Sequence, residues 1–288
     1  MSNKNTMLSV LIPTLDERRN IEECLASVAW SDDVVVVDSG STDGTVELAK
    51  SRGARVEQFH WNGQFPKKKN WALETVRWKY EWVLILDADE RITPELAAEI
   101  EQEIKQPRAD GYFLNRRFMF LGKWIRHCGY YPSWNLRLFR HDKGRYEVFH
   151  TGDSSSGDNE VHEHVVFSGA TAYLKHDMLH YAYPDIYTWM EKHNRYSNWE
   201  AQVEVGTGAT ITGGPGIGKH LEKRRALREW SRRMPFRPAL RFLYSYVLKR
   251  GFLDGREGYM FCRLLAIYEY MIVIKMKEIR RRQSGLSV

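Results

Sequence analysis

One stretch of the chain places a cluster of acids directly after a run of apolar residues, and it reads Trp82-Val83-Leu84-Ile85-Leu86-Asp87-Ala88-Asp89-Glu90. The apolar residues predict a short strand that is buried on both faces, as in a parallel sheet. The acids follow at the carboxyl end of that strand, which is where ligands bind in open α/β sheets. Asp87 and Asp89 are two positions apart, so both carboxylates can turn toward one ion. Hard oxygen ligands of this kind favour Mg²⁺ or Mn²⁺.

The same acids fit a second interpretation, a solvated acidic turn before a helix. Thr93, Pro94 and Glu95 follow closely and are typical of an N-cap, a first helical residue and a first-turn acid. The stretch alone does not separate a metal site from an acidic turn. The choice therefore depends on the rest of the chain.

Strands and helices alternate over the first part of the chain. Strands separated by helices of this length predict βαβ units and a parallel sheet. Two later segments, 111–114 and 135–140, predict further strands of a mixed sheet. The predicted strands of the first part are 8–13, 33–38, 54–59 and 83–86, and the predicted helices are 19–30, a helix capped by 41–44 that runs to about 52, and 68–79.

Polar residues follow three of these strands, in the segments 13–17 (PTLDE), 38–44 (DSGSTDG) and 87–90 (DADE). Because the carboxyl ends of parallel strands lie along one edge of a sheet, the three segments should converge on one crevice. Asp38 can accept hydrogen bonds from a ribose or a base, and Gly40 lets the backbone approach a ligand closely. One such loop alone would be typical of a plain turn and helix cap. Three in successive units favour a ligand site.

These segments, with the apolar residues before them, resemble the family 2 glycosyltransferases, whose catalytic domain has the nucleotide-sugar-binding fold called GT-A. The resembling blocks are 9–17 (SVLIPTLDE), 36–44 (VVDSGSTDG) and 86–89 (LDAD), supported by 69–73 (KNWAL). The resemblance implies an α/β fold, with a Rossmann-like mixed sheet flanked by helices.

Later segments resemble a bacterial subgroup of that family that includes lipopolysaccharide-core β-glucosyltransferases. They are 161–163 (VHE), 179–181 (LHY) and 251–258 (GFLDGREG). The resemblance covers nearly the whole chain, strongly over 8–140 and more loosely beyond.

The resemblance also implies roles for individual residues. Thr14, Glu17 and Asp38 would contact the nucleoside, usually uridine. Asp87 and Asp89 would form the family's DxD motif, with Asp89 as the direct metal ligand and Asp87 mainly positioning the donor. The implied donor-binding set is Pro13, Thr14, Glu17, Asp38, Gly40, Lys69, Asp87, Ala88 and Arg137, and the implied metal set is Asp89, Asp87 and His180.

The chemistry of sugar transfer agrees with these roles. Departure of a nucleoside diphosphate builds up negative charge, which a divalent cation, Mg²⁺ or Mn²⁺, neutralises. Lys69 and Arg137 are candidate phosphate contacts, with ordinary surface charge as the alternative. His180 matches the late histidine that some members of the fold use as a third metal ligand. A structural histidine is the alternative there.

An inverting transfer also needs a general base that takes the proton of the acceptor hydroxyl. Within the family the base is an Asp or Glu from a motif after the DxD. Glu163 is our candidate, because an apolar run follows it and would fix its position. The chain lacks the Glu-Asp pair that is common there, so Asp153 and Asp158 remain competitors.

The composition is that of a globular protein, which is compatible with an enzyme and argues against global disorder. It has 288 residues, of which 43% are hydrophobic and 13% aromatic, enough for a sizeable core. Its cysteines, Cys24, Cys128 and Cys262, are scattered without metal-ligand spacing, which suits a reducing compartment. The polar N-terminus gives no secretory signal, and no apolar run predicts a transmembrane helix.

The charge of the chain is unevenly distributed. Residues 219–288 hold 18 Lys or Arg and 6 Asp or Glu, whereas residues 1–218 hold 25 and 31. We therefore expect a GT-A catalytic domain over 1–205, a Gly-rich loop over 206–218 and a basic, amphipathic helical extension over 219–288 that meets an anionic membrane surface. Its predicted helices are 219–233, 238–250 and 257–282.

The tail and the loop before it admit two other functions, a nucleoside-triphosphatase and a nucleic-acid-binding protein. Residues 213–220 (GGPGIGKH) nearly match a phosphate-binding loop, but His220 stands where a hydroxyl is needed. A nucleic-acid-binding tail would need basic residues on one face with exposed aromatic side chains for stacking. The amphipathic pattern favours a membrane surface instead, and no nucleic-acid partner is expected.

The sequence thus predicts an inverting, metal-dependent glycosyltransferase at the cytoplasmic face of a bacterial inner membrane. It would transfer a hexose from a nucleoside-diphosphate sugar, usually a UDP-sugar, to a glycan or lipid-linked acceptor in cell-envelope polysaccharide or lipopolysaccharide biosynthesis. The alternatives are a sugar-phosphate nucleotidyltransferase and a basic nucleic-acid-binding protein. The former should carry a Gly-rich, basic loop after the first strand, where this chain has 13–17 (PTLDE).

Overall fold

The computed structural model of the protein describes residues 6–147, 164–206, 234 and 236–287. These residues form two compact units. The first comprises the described residues of 6–117, 133–147 and 164–182, and the second those of 118–132 and 183–287. The predicted boundary at 205 and the Gly-rich loop that follows it fall at the edge of the described part, so the domain division stays a prediction.

The first unit is built on a mixed sheet. Three neighbouring strand pairs are parallel, β1 with β2, β2 with β3, and β1 with β4, and antiparallel strands complete the sheet in the order β3-β2-β1-β4-β8-β6-β11-β5. A separate antiparallel pair joins β9 and β10. The strands of this unit are β1 (Thr6–Thr14), β2 (Ser31–Asp38), β3 (Arg55–Gln58), β4 (Trp82–Ile85), β5 (Glu90–Arg91), β6 (Gly111–Phe120), β8 (Trp134–Arg140), β9 (Gly144–Tyr146), β10 (Val165–Phe167) and β11 (Thr171–His180). The last three residues of β6 and the short strand β7 (Lys123–Trp124) belong to the second unit.

Helices cover both faces of this sheet. Side chains of a strand point alternately to opposite faces, so neighbouring residues of one strand pack against different helices. Val10 and Ile12 of β1 pack in the same hydrophobic cluster as Leu96, whereas Leu11 packs in a second cluster with Leu73. Full burial of one such side chain contributes about 1.5–3 kcal/mol, so both clusters hold the parallel strands in place. The helices of this unit are α1 (Arg18–Ser27), α2 (Thr45–Ser51), α3 (Lys68–Thr75) and α4 (Pro94–Lys105).

One helix start agrees with the sequence pattern, and one predicted helix end does not. α4 begins at Pro94, and the Thr93 side chain accepts a hydrogen bond from Leu96 N, as the acidic-turn interpretation expected. α3 ends at Thr75, short of the predicted 79. The amides of Lys79 and Tyr80 donate to side chains of the sheet instead, which draws the chain out of the helix and toward β4.

The second unit is mainly helical. Its helices are α5 (Ile186–Val205), α6 (Arg237–Leu243) and α7 (Gly255–Gln283), with a π-helical turn at Tyr244–Leu248 and a 3₁₀ turn at Gly251–Asp254. Lys275 of α7 donates to Asn194 O and Ser197 Oγ of α5, and Arg237 of α6 pairs with Glu204 at 2.7 Å. These contacts hold the three helices together.

The predicted C-terminal helices are only partly matched. The segment predicted as 238–250 divides into α6 and the π-helical turn, whereas 257–282 forms one helix as expected. The loop predicted for 150–160, the helix 219–233 and the motif 213–220 lie outside the described residues. Among the helices that the structure describes, none combines the length and hydropathy needed to cross a bilayer.

Candidate functional site

The ends of β1 and β2 lie side by side in the first unit. Thr14 is the register partner of Asp38, and its hydroxyl donates to Asp38 Oδ1 at 2.9 Å. Pro13, the residue before Thr14, pairs with Val37. Parallel pairing therefore brings together the first two polar segments that the sequence singled out.

Asp38 is fully buried and holds the turn that follows it. Its Oδ2 accepts from Gly40 N at 2.9 Å and Ser41 N at 2.8 Å, and its Oδ1 also accepts from the Ser41 hydroxyl. Burial would raise the pKa of the Asp38 carboxyl, but the donors from Ser41, Thr14 and Gly40 outweigh it and lower the pKa. Gly40 adopts φ +87°, a conformation that glycine tolerates without strain.

Further hydrogen bonds brace the loop after β1 against the loop after β2. Asp16 Oδ1 accepts from Thr42 N at 2.8 Å, and Asp16 N donates to Ser41 Oγ at 2.8 Å. Glu17 N donates to Thr45 Oγ1 at 2.9 Å. The Glu17 carboxylate lies at the start of α1, where it accepts from Asn20. The two loops thus form one cross-linked edge.

Asp87 lies between two cations at the end of β4. Lys69 Nζ is 3.1 Å from Asp87 Oδ1, and Arg137 Nη2 is 2.5 Å from Asp87 Oδ2. Antiparallel pairing of β8 with β4, with Leu138 opposite Leu84, carries Arg137 toward this end. Burial would raise the pKa of the Asp87 carboxyl, but Arg137 and Lys69 prevail and hold it well below its usual range.

Glu90 is a site residue to which the sequence assigned no task. It is fully buried, and its Oε1 lies 3.0 Å from Arg137 Nη2 and 3.5 Å from Arg116 Nη1. Its Oε2 accepts from Asp87 N at 2.9 Å, which fixes the turn of the acidic stretch. Arg116 was also not predicted, because nothing in the sequence around it indicates that it pairs with an acid of another strand.

Arg91 braces the same turn from its other side. Its guanidinium donates to Ala88 O and Glu90 O, both at 2.8 Å. The Ala88 carbonyl therefore faces a protein donor. Together with Glu90, Arg91 fixes the backbone around the two aspartates of the acidic stretch.

Asp89 lies next to the predicted histidine. His180 Nε2 is 3.6 Å from Asp89 Oδ1, and Tyr181 N donates to Asp89 O at 2.8 Å. The contact follows from the sheet, because β11 pairs with β5 and sets His180 opposite Glu90. Carboxylate and imidazole groups are both ligands of divalent metal ions.

The fit of a metal ion to this site rests on two protein donors. Asp89 Oδ1 and His180 Nε2 face each other, whereas both Asp87 oxygens are engaged by cations. Within the described part of the chain, no group of three or more His, Cys, Asp or Glu side chains is arranged to hold a metal. Two protein ligands that leave positions for substrate phosphates suit Mg²⁺ or Mn²⁺.

The residues around Lys69 tie α3 to two strands. Lys68 Nζ donates to Thr14 O at 2.8 Å, and Asn70 exchanges two hydrogen bonds with the backbone of Tyr146. Lys69 Nζ also lies 5.1 Å from the centroid of the Tyr146 ring. α3 thereby holds the Lys69 ammonium at the edge of the sheet.

The candidate base Glu163 and its competitors Asp153 and Asp158 lie outside the described residues. The described chain resumes at His164, which exchanges backbone and side-chain hydrogen bonds with the buried Glu147. The residue after Glu163 is thus anchored to the first unit.

Comparisons with known proteins identify the family of the chain. The profile described as "Glycosyl transferase family 2" matches residues 9–165. The lipopolysaccharide core biosynthesis glycosyltransferase LpsC of Rhizobium meliloti is 27% identical over 287 residues, which cover 93% of this chain and 91% of LpsC. An uncharacterized glycosyltransferase of Rickettsia bellii is 26% identical over 94% of this chain and 86% of its own length.

A solved structure is similar over most of the chain. S. aureus TarS 1–349, in complex with UDP-GlcNAc, aligns with a TM-score of 0.42 at 16% identity, covering 97% of this chain and 92% of TarS. The family match spans more than half of the 288 residues and contains the braced edge and the acidic stretch 87–89. The protein therefore belongs to glycosyl transferase family 2, and its mixed sheet, flanked by helices and followed by C-terminal helices, is the GT-A fold.

Proposed function

We propose that this glycosyltransferase is an inverting, metal-dependent enzyme that transfers a hexose from a nucleoside-diphosphate sugar, by preference a UDP-sugar. The observation that carries the proposal is the contact of Asp89 with His180 beside the cation-flanked Asp87. It places donors for a divalent cation next to positive charge, at the edge of the sheet where ligands bind.

The nucleoside would lie against the braced loops after β1 and β2, with contacts from Pro13, Thr14, Glu17, Asp38 and Gly40. The four protein donors on Asp38 keep its carboxylate ionised and the turn fixed. In this arrangement Asp38 shapes the surface on which a base would lie.

The diphosphate would lie next to the stretch 87–89. Lys69, Arg116 and Arg137 carry three positive charges there, and the carboxylates of the acidic stretch, on Asp87, Asp89 and Glu90, carry three negative charges. The cations thus offset the acids, so the stretch has no net negative charge that would repel an anionic donor. Lys69 and Arg137 would act on the donor together with Asp87, the residue that holds both of them.

Asp89 and His180 would hold the divalent cation, Mg²⁺ or Mn²⁺, and Asp87 would support it from its ion pairs. When bound, the cation neutralises the charge that grows on the departing nucleoside diphosphate. Glu163 would take the proton of the acceptor hydroxyl, which is the step that an inverting transfer requires of the protein.

We propose that the acceptor is a glycan or a lipid-linked saccharide of the cell envelope. The name of LpsC, a lipopolysaccharide core biosynthesis glycosyltransferase, supports this class of acceptor. The enzyme would work at the cytoplasmic face of the inner membrane, held there as a peripheral protein by its basic C-terminal helices.

The donor site can be tested with UDP and Mn²⁺ alone. We expect UDP with Mn²⁺ to raise the Tm of the protein, because a ligand that binds only the folded state stabilises it by about 2.7 kcal/mol at a hundred times Kd. Asp89→Ala should lose the Mn²⁺-dependent part of this shift and all sugar transfer. Asp142→Ala, at an exposed acid of the same unit, is the matched control and should keep both. An unchanged shift in Asp89→Ala would refute the metal site.

A further inference from the structure

A corner of the second unit exposes large apolar side chains to solvent. It lies where the π-helical turn, the 3₁₀ turn and the start of α7 meet, over residues 243–256, and we call it the apolar corner. Leu248 is 73% exposed, and the other members are about half exposed. The exposed apolar residues of the corner are Leu243, Val247, Leu248, Phe252 and Leu253.

Close packing beneath the corner keeps these side chains from folding inward. A Cβ on Gly258 would lie 2.2 Å from Gly251 O, and a Cβ on Gly251 would lie 2.8 Å from Ser245 O, so only glycine fits at either position. Asp254 accepts from His127 N at 2.8 Å and lies 2.7 Å from His127 Nδ1, which ties the 3₁₀ turn to the unit. The backbone of the corner is therefore held by close packing, and its apolar side chains remain exposed to solvent.

Charge at the corner is positive. Lys249, Arg250 and Arg256 are exposed beside the apolar residues. The single acid within 243–256 is Asp254, which is buried against His127, and the next one, Glu257, pairs with Lys123 at 3.2 Å. The outward surface thus combines apolar side chains with cations whose charge no acid of the segment offsets.

We propose that the apolar corner docks onto an anionic lipid surface. Its apolar side chains would enter the boundary between headgroups and acyl chains, and its cations would meet the phosphate layer. This deepens the proposed function by naming the surface that holds the enzyme at the membrane, and it rests on that function only for the enzyme's place of work.

Charge complementarity selects lipid over a second copy of the chain. A symmetric dimer through this corner would bring Lys249, Arg250 and Arg256 of both copies together, and like charges at an interface oppose association. An anionic bilayer satisfies both components of the surface at once. Exposed apolar groups of this kind mark an interaction site.

The test is sedimentation of the full-length protein with vesicles of phosphatidylcholine alone or mixed with phosphatidylglycerol. We expect binding to the mixed vesicles, weaker binding to the neutral ones, and loss of binding as salt is raised. The double variant Leu248→Ser/Phe252→Ser should bind mixed vesicles at least about tenfold less well. Lys249→Ser/Arg256→Ser should lose about fivefold for each cation removed.

Ile274→Ser is the matched control, because Ile274 is an exposed apolar residue of α7 away from the corner, and it should bind as the wild type does. Every variant should keep the UDP and Mn²⁺ shift of the Tm, which separates failure of docking from failure of the donor site. Wild-type-like vesicle binding by Leu248→Ser/Phe252→Ser would overturn the proposal. So would a wild-type dimer in solution that this variant abolishes, since a second copy would then occupy the corner.

Discussion

His180 Nε2 lies 3.6 Å from Asp89 Oδ1, and the two residues meet because β11 runs antiparallel to β5. Asp87, two positions before Asp89, has both of its oxygens in ion pairs with Lys69 and Arg137. The two aspartates of the acidic stretch therefore have different surroundings. Asp89 lies beside an imidazole, whereas Asp87 lies between two positively charged side chains.

From this relationship we predict that His180→Ala weakens the binding of Mn²⁺ without unfolding the protein. The Mn²⁺ concentration needed for half of the UDP-induced Tm shift should rise at least about tenfold, a loss typical when a metal's surroundings are altered. His176→Ala is the matched control, because His176 lies on the same strand but is exposed and paired with Glu99 at 2.8 Å. Equal Mn²⁺ titrations for the two variants would remove His180 from the metal site.

Glu163→Gln should separate donor binding from transfer. Glutamine keeps the size of the side chain but cannot accept a proton, so transfer should fall by at least about a hundredfold. The Tm shift with UDP and Mn²⁺ should stay as in the wild type. The measurement follows labelled hexose from UDP-sugars into a cell-envelope glycan and lipid fraction. If Asp153→Asn or Asp158→Asn loses transfer while Glu163→Gln retains it, the base lies at that aspartate.

Arg137→Met should strongly destabilise the protein. Arg137 is buried between Asp87 and Glu90, and removal of one partner from a buried ion pair leaves an uncompensated charge that costs about 3–5 kcal/mol. Arg52→Met, which removes an exposed pair with Glu22, should cost less than about 1 kcal/mol. Urea unfolding compares the two. Similar free energies of unfolding would mean that Asp87 and Glu90 do not depend on Arg137.

His193 should make stability depend on pH below neutrality. Burial lowers the pKa of His193 from 6.5 to about 4, because the imidazole is stacked on Trp189 with ring centroids 3.7 Å apart. The unfolded chain therefore binds a proton between pH 6.5 and about 4 that the folded chain does not. This contribution of about 3 kcal/mol is present above pH 6.5 and lost as the pH falls through that window.

Urea unfolding at pH 7 and at pH 4.5 checks this prediction. His193→Phe keeps an aromatic ring against Trp189 but cannot titrate, so its free energy of unfolding should fall less between the two pH values than that of the wild type. His60→Phe, at an exposed histidine, should leave the wild-type difference unchanged. An equal loss in wild type and His193→Phe would assign the acid sensitivity to other groups.

The parallel core of the sheet and the polar segments at its edge could be predicted, because both follow from the local order of apolar and polar residues. The mainly apolar runs 8–13 and 83–86 have the length of buried strands, and polar residues follow each of them directly. Other features are set by distant partners. Glu90 is paired with Arg137 and Arg116, which come from two other strands.

Two elements carried no clear local pattern. β11 (Thr171–His180) mixes exposed and buried positions without strict alternation, and α5 (Ile186–Val205) is polar over much of its surface. Each is stabilised by tertiary contacts, as the ion pair of Glu204 with Arg237 illustrates. The division of the segment 238–250 was likewise missed, because the π-helical turn depends on packing around Ser245 and Gly251.

Asp16 and the residue after it are hydrogen-bonded to Ser41, Thr42 and Thr45. This bracing has a consequence for the rate and the entropy of donor binding. The two loops lose their conformational entropy when the chain folds, so little remains to be lost when a nucleotide arrives. Association should then proceed in one kinetic phase, without a slower step in which the loops close. Removing a single brace, as in Asp16→Ala, which takes away the carboxylate that accepts from Thr42 N, would move part of that ordering from folding to binding. It would appear as a more unfavourable entropy of association.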